Sequence, residues 1–191
     1  PGLLTEAHWS MACTSHYRGE LRRSLQHARE GWSHYDKPAS IQHAAFTAQN
    51  SGPLIQSYIA MPLWHLGYPD QAWARLEEAV RLAEELEHPF TTATIEWQIG
   101  FLAQHCRLGE RAEQSGEREI ALCREQGFPF WLGLGTCCVG VGKLYQGKPH
   151  EALEPLREGI QMARATGARI LLPNYYGCLA EACWKSGDPR Q

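Results

Sequence analysis

The sequence lacks an excess of positive charge. Its 18 Lys and Arg face 21 Asp and Glu, a formal net charge of −3, so no basic footprint points to nucleic acid or an anionic membrane. Long apolar runs are missing too: stretches such as Phe128 to Leu134 fall far short of the ~20 residues that cross a bilayer. The opening residues PGLLTEAHWS have neither the charged start nor the apolar core of a secretory leader. A cytoplasmic protein is expected. No convincing alternation of period two is present, so strands are not expected.

The motifs of catalysis are lacking as well. Gly133 to Lys143, GLGTCCVGVGK, superficially suggests a phosphate loop, but Cys137 and Leu144 stand where that motif is broken. Small residues that let helices pack closely explain the run better, at about 1 kcal/mol of helix propensity per glycine. There is no Cys-x2-Cys or His-x3-His spacing, so no metal or cofactor site is expected; a zinc site would need ligands assembled across helices. Neither Gly-x-Ser-x-Gly nor His-Glu-x-x-His occurs, and no catalytic residue is assigned. The seven cysteines are odd in number and irregular in spacing, as expected of buried reduced thiols rather than a disulfide framework.

What is present is a repeating hairpin. Its clearest copy is Leu63 to Leu86, LWHLGYPDQAWARLEEAVRLAEEL: an apolar helix end, a turn at Gly67, and a second helix. In that helix Ala72, Leu76, Ala79, Val80, Ala83 and Leu86 form one stripe of a 3.6-residue period. Glu77, Glu78, Arg81, Glu84 and Glu85 occupy the other face, with Glu77 and Arg81 spaced for an i,i+4 pair. Turn glycines recur at 19, 67, 109, 147 and 187, separations of 48, 42, 38 and 40 residues. Between them fall helix stops at His88, Gly127 and Gly167, followed at Pro89 and Pro129 by a proline that opens the next helix.

Helices are therefore expected near 4–17, 20–35, 52–66, 69–86, 89–107, 110–125, 129–145, 149–165 and 169–185, with Asp36 to Asn50 irregular except for a helical turn around Ala39 to Phe46. Pro62, Pro155 and Pro173 mark kinks or later starts. The expectation is one all-α domain over 1–191, with hairpins at about 4–35, 52–86, 89–125, 129–165 and a partial 169–191. The final Gly187-Asp188-Pro189 turn suggests a piece of a longer protein. Seven tryptophans are many for the length and fit packing between long helices.

The pattern Gly67/Ala72/Leu76/Ala79, repeated as Gly147/Ala152/Leu156/Gly159, resembles the tetratricopeptide (TPR) repeat. Small residues seven before the turn glycine (Ala12, Ala60, Gly140 and Ala180) fit it, while the third copy departs with Leu102. The period near 40 exceeds the TPR's usual length of about 34; HEAT-type repeats are closer in period but lack the Gly/Ala turn. More narrowly, YIAMPLWHLGYPDQAWA (58–74), AEELEHPF (83–90) and EQGFPFWL (125–132) resemble the TPR-like C-terminal region of bacterial fusions of an AAA-type ATPase with a class III adenylate/guanylate cyclase. The resemblance implies a right-handed α-solenoid of about nine helices. It also implies a non-catalytic, regulatory, protein-binding role. A free-standing peptide-binding adaptor is the alternative, and a small-ligand sensor or enzyme is the remaining one.

In a TPR register the concave face is lined by the first helix of each hairpin. That selects Leu54, Ser57, Met61, Trp64 and His65, then Glu96 and Arg107, then Leu134, Val141 and Tyr145, then Asn174, Glu181 and Lys185. The mixture of aromatic, apolar and charged groups suits a protein or peptide partner. The competing reading is that such residues are core, above all Leu144, Cys106 and Trp184.

Overall fold

A computed structural model describes residues 2–47 and 49–187. Among these residues there are ten helices and no strand: α1 (Gly2–Tyr17), α2 (Leu21–Ser33), α3 (Lys37–Thr47), α4 (Ser51–His65), α5 (Pro69–Leu86), α6 (Pro89–His105), α7 (Gly109–Gln126), α8 (Pro129–Tyr145), α9 (Pro149–Ala165) and α10 (Leu172–Lys185). The protein is all-α. Neighbouring helices in sequence pack on one another, α1 on α2, α4 on α5, α7 on α8, α8 on α9, and α9 on α10. The chain forms two compact units, Pro1–Ile95 and Glu96–Gln191. The last residues of the partial hairpin expected over 169–191, from Asp188 on, lie outside the described residues.

The segment expected to be irregular is the tenth helix, α3. Its start is set by a polar residue: Asp36 Oδ1 accepts the Ala39 amide at 2.8 Å, the role of a good N-cap. Ser40 Oγ then donates to Asn50 Oδ1 at 2.9 Å, and Asn50 in turn caps α4 by accepting from Gly52 N at 3.1 Å. α10 begins later than expected, at Leu172, because Pro173 belongs in a first turn. Arg81 does not pair with Glu77; it reaches Glu78 at 2.6 Å and Glu85 at 3.1 Å.

The turns carry a regularity that glycine spacing hides. At Gly67 (φ 91°) the amide donates to Trp64 O at 3.0 Å and the Tyr68 amide to Leu63 O at 2.9 Å, the double bond of a Schellman cap. Gly147 repeats it with Leu144 and Lys143. In the third hairpin, however, the left-handed residue is Arg107 (φ 55°), not Gly109. Arg107 N donates to Gln104 O at 3.0 Å and Leu108 N to Ala103 O at 2.9 Å. Gly109 instead opens α7, where a Cβ would lie 2.7 Å from Gly142 O.

With that correction, positive φ recurs every 20 residues at 67, 87, 107, 127, 147, 167 and 187, with Leu171 (φ 68°), just before α10, as an addition outside the series. The apparent spacings of 42 and 38 become 40 and 40. The third hairpin then keeps the small residue seven before its turn, the buried Gly100 rather than Leu102. Ala112 follows Arg107 by five, as Ala72 follows Gly67 and Ala152 follows Gly147; all three are fully buried.

α8 lies between α7 and α9, and its glycines form two stripes. A Cβ on Gly133 or Gly140 would strike α9, 2.8 Å from Ala163 N and 2.7 Å from Leu156 Cγ. On Gly135 or Gly142 it would strike α7, 3.1 Å from Glu119 and 2.6 Å from Glu113 N. Backbone atoms cannot step aside, so overpacking outweighs the gain in propensity. Gly142→Ala should cost about 1–3 kcal/mol in chemical denaturation. Gly177→Ala on α10, where nothing lies within 4 Å, should instead stabilise by up to about 1 kcal/mol.

Candidate interaction surface

The structure separates the sequence-selected residues into two kinds. Leu54, Ser57, Met61, Leu134 and Val141 are buried, and Ser57 Oγ is already satisfied by Leu54 O at 2.7 Å. They have no surface to offer a partner. Trp64, Glu96, Tyr145, Asn174 and Glu181 are half-buried, and His65, Arg107 and Lys185 are exposed. Leu144 is core, but Trp184 is 71% exposed, against the competing reading that made it core.

In the first unit the candidates Trp64 and His65 meet edge to face, with centroids 4.9 Å apart. His65 Nδ1 lies 2.9 Å from Met61 O. His16 of α1 stands edge-on to His65 at 5.4 Å.

In the second unit the candidates come together from α8, α10 and the turn that closes α6. The Arg107 guanidinium sits 5.1 Å from the centre of the Tyr145 ring at the end of α8, a cation–π distance. The same guanidinium is 3.6 Å from Glu181 of α10. Lys185, one turn further along α10, donates to Glu181 at 2.7 Å. Asn174 exchanges two hydrogen bonds with Gln104 of α6, 2.9 and 3.3 Å. Gln104 was not among the sequence candidates. Glu96 stands apart from this group, held by Arg118 of α7 at 3.0 Å.

No family model matches this chain, and no curated protein matches it.

The surface has a polar interior next to it. Gln104 Nε2 also reaches Cys178 Sγ at 3.3 Å. Trp97 Nε1 donates to the Tyr175 hydroxyl at 2.9 Å, and Cys138 Sγ lies 3.7 Å from that hydroxyl. Burial pushes the Cys178 thiol up to about 11 and Cys123 up to about 12; Tyr145 also rises to about 12, chiefly through burial. These groups stay neutral at physiological pH, so the thiols are poor nucleophiles. All seven cysteines are free.

Glu119 is the residue that sequence reading missed. It is fully buried, and neither carboxylate oxygen has a hydrogen-bond partner among the described residues. Burial first, then the Glu96 carboxylate, pushes its carboxyl well above the usual range. A signal was present: counted from Arg107, Glu119 stands twelve residues on, where Ala79 and Gly159 stand from Gly67 and Gly147. Gly135 opposite makes room for it, since a Cβ there would lie 3.1 Å from Glu119 Cγ.

Among the described residues, three metal-competent side chains gather in the first unit, where His8, Glu30 and His34 each bring a ligand atom within 4.8 Å of the others. No helix of the described residues is long and apolar enough to cross a membrane.

Proposed function

We propose that this chain is a non-catalytic interaction scaffold of TPR-like hairpins, taking a peptide or partner helix against the side chains shared by α6, α8 and α10. The observation that carries the reading is the convergence of Arg107, in the turn that closes α6, with Tyr145 of α8 and Glu181 of α10. Trp184, 71% exposed, lies one turn beyond Glu181. Trp, Tyr and Arg are the residues from which binding hot spots are most often built. Glu181, flanked by Arg107 and Lys185, adds a charged rim that fixes orientation more than affinity. The turn-to-alanine spacing, now regular through Arg107 and Ala112, supports a TPR-like pattern. The resemblance to ATPase–cyclase fusions supports a regulatory role in a bacterial cytoplasm, with another domain of the same polypeptide among the candidate partners.

The test uses the chain as bait and then measures the captured protein by titration. Trp184→Ala should weaken binding at least tenfold, a loss of about 1.4 kcal/mol or more. Its melting should change by no more than about 0.5 kcal/mol, as expected of an exposed site. Equal affinity for wild type and variant would overturn the assignment of this surface.

A further inference from the structure

The geometry points to a zinc-binding site on the α1–α2 hairpin, formed by His8, Glu30 and His34. Glu30 lies on α2 and His34 caps its C-terminus, with His34 Nε2 3.4 Å from Glu30 Oε1. His8 comes from α1, and one ligand atom of each residue lies within 4.8 Å of the other two. Zinc with bonds of about 2.0–2.1 Å sets tetrahedral ligand atoms ~3.4 Å apart. Glu30 and His34 already have that spacing, and His8 stands within 4.8 Å of both.

An ordinary i,i+4 ion pair would account for Glu30 with His34. It would not account for His8. That residue is brought in by Gly31, where a Cβ would fall 2.9 Å from His8 Cβ and 2.6 Å from Ile55 Cδ1. Any larger residue at 31 would push α2 away from its neighbours. The rings of His8 and His34 then lie nearly parallel, with centroids 5.9 Å apart and planes inclined by 26°.

His8 also has an outer partner. Its Nδ1 faces His27 Nδ1 at 3.2 Å, which leaves Nε2 for the ion. A second-shell partner on the far nitrogen is how metal-ligating imidazoles are usually held in orientation and tautomer. Two imidazoles and one carboxylate, with no thiolate, suit zinc better than the soft or the oxygen-preferring ions. The half-buried histidines and the exposed Glu30 leave the fourth position to water. Bound zinc would tie α1 to α2 and so stabilise the folded chain.

The experiment treats the full chain with EDTA, then titrates it with Zn2+ by calorimetry and with Co2+ by visible absorption. The expected result is one ion per chain, tetrahedral cobalt bands without a thiolate charge-transfer band, and a melting temperature that rises with zinc. His34→Gln should weaken zinc at least ~100-fold and His27→Gln, in the outer shell, about tenfold. Glu30→Gln sits at an exposed position and keeps the test decisive if a histidine variant fails to fold; it should weaken zinc at least ~10-fold. Absence of saturable binding would overturn the site. So would wild-type affinity in Glu30→Gln, or a thiolate band placing the ion on a cysteine.

Discussion

Ala152→Asp should abolish the cooperative melting of its hairpin, and Ala72→Asp should do the same to its own. Each alanine is fully buried five residues after a left-handed turn residue, where the two helices of a hairpin pack closely. At Ala152 the opposing surface is α8: a Cβ on Gly140 would already lie 3.1 Å from Ala152 O. An aspartate there has neither space nor a partner. Burying an unpaired carboxylate costs far more than an ordinary substitution, and protonating it instead still leaves an unsatisfied polar group. The expected loss is above about 4 kcal/mol, at the severe end for single substitutions. Thermal unfolding followed by circular dichroism measures it, and unchanged melting in both variants would disprove the shared turn-to-alanine register.

Glu119→Gln should make the protein more stable at neutral pH, with the difference growing as pH rises. In the unfolded chain the carboxyl ionises near its ordinary value of 4.5. In the folded protein burial, then Glu96, holds the proton to much higher pH. Above 4.5 the native state therefore keeps a proton that the unfolded state has released. Stability from this group is complete below that value and declines by about 1.4 kcal/mol per pH unit until the native carboxyl ionises. Glutamine fills nearly the same volume and carries no such proton. Urea unfolding of both proteins should agree near pH 4 and diverge steadily above it. Parallel curves across the range would mean that Glu119 is solvated or paired.

The helices were legible because their punctuation is chemical. Proline at 69, 89, 129 and 149 starts a helix at the residue where the pattern placed it, and glycine usually closes the preceding one. Legibility failed where another residue took glycine's role. Arg107 adopts the left-handed conformation at a strain of about 1–2 kcal/mol, and two residues later a real glycine served a different purpose. That slip of two displaced the third register and concealed Glu119. α3 was read as no more than a helical turn, because polar caps at Asp36 and Asn50 begin and follow it, rather than an apolar period.

The proposed interaction surface was legible in its charged and aromatic candidates and not in its aliphatic ones. α4 is buried at every residue from Ser51 to Leu63, so it has no solvated side from which a binding face could be distinguished. Leu54, Ser57 and Met61 look the same in sequence whether they line a groove or fill a core. Arg107 and Lys185 stand near helix ends, where a long charged chain remains in water. Trp184 could be read in sequence as groove or as core, because tryptophan's size argues for burial wherever packing partners exist. Its position near the end of α10 decides otherwise.

The left-handed residues at intervals of 20 have a consequence for how this chain can change length. One such residue closes each helix from α4 to α9, two bound a hairpin, and forty residues are the smallest addition that preserves the spacing of the turn residues and their alanines. A loop can absorb a residue or two, but a helix cannot, because each extra residue turns the apolar stripe by about 100°. Between Gly19 and Gly67 the interval is 48, and there the surplus is taken up by a separate helix, α3, instead of lengthening α2 or α4. The molecule thus behaves like a text ruled in lines of fixed width, where an insertion must either fill a whole line or stand in the margin.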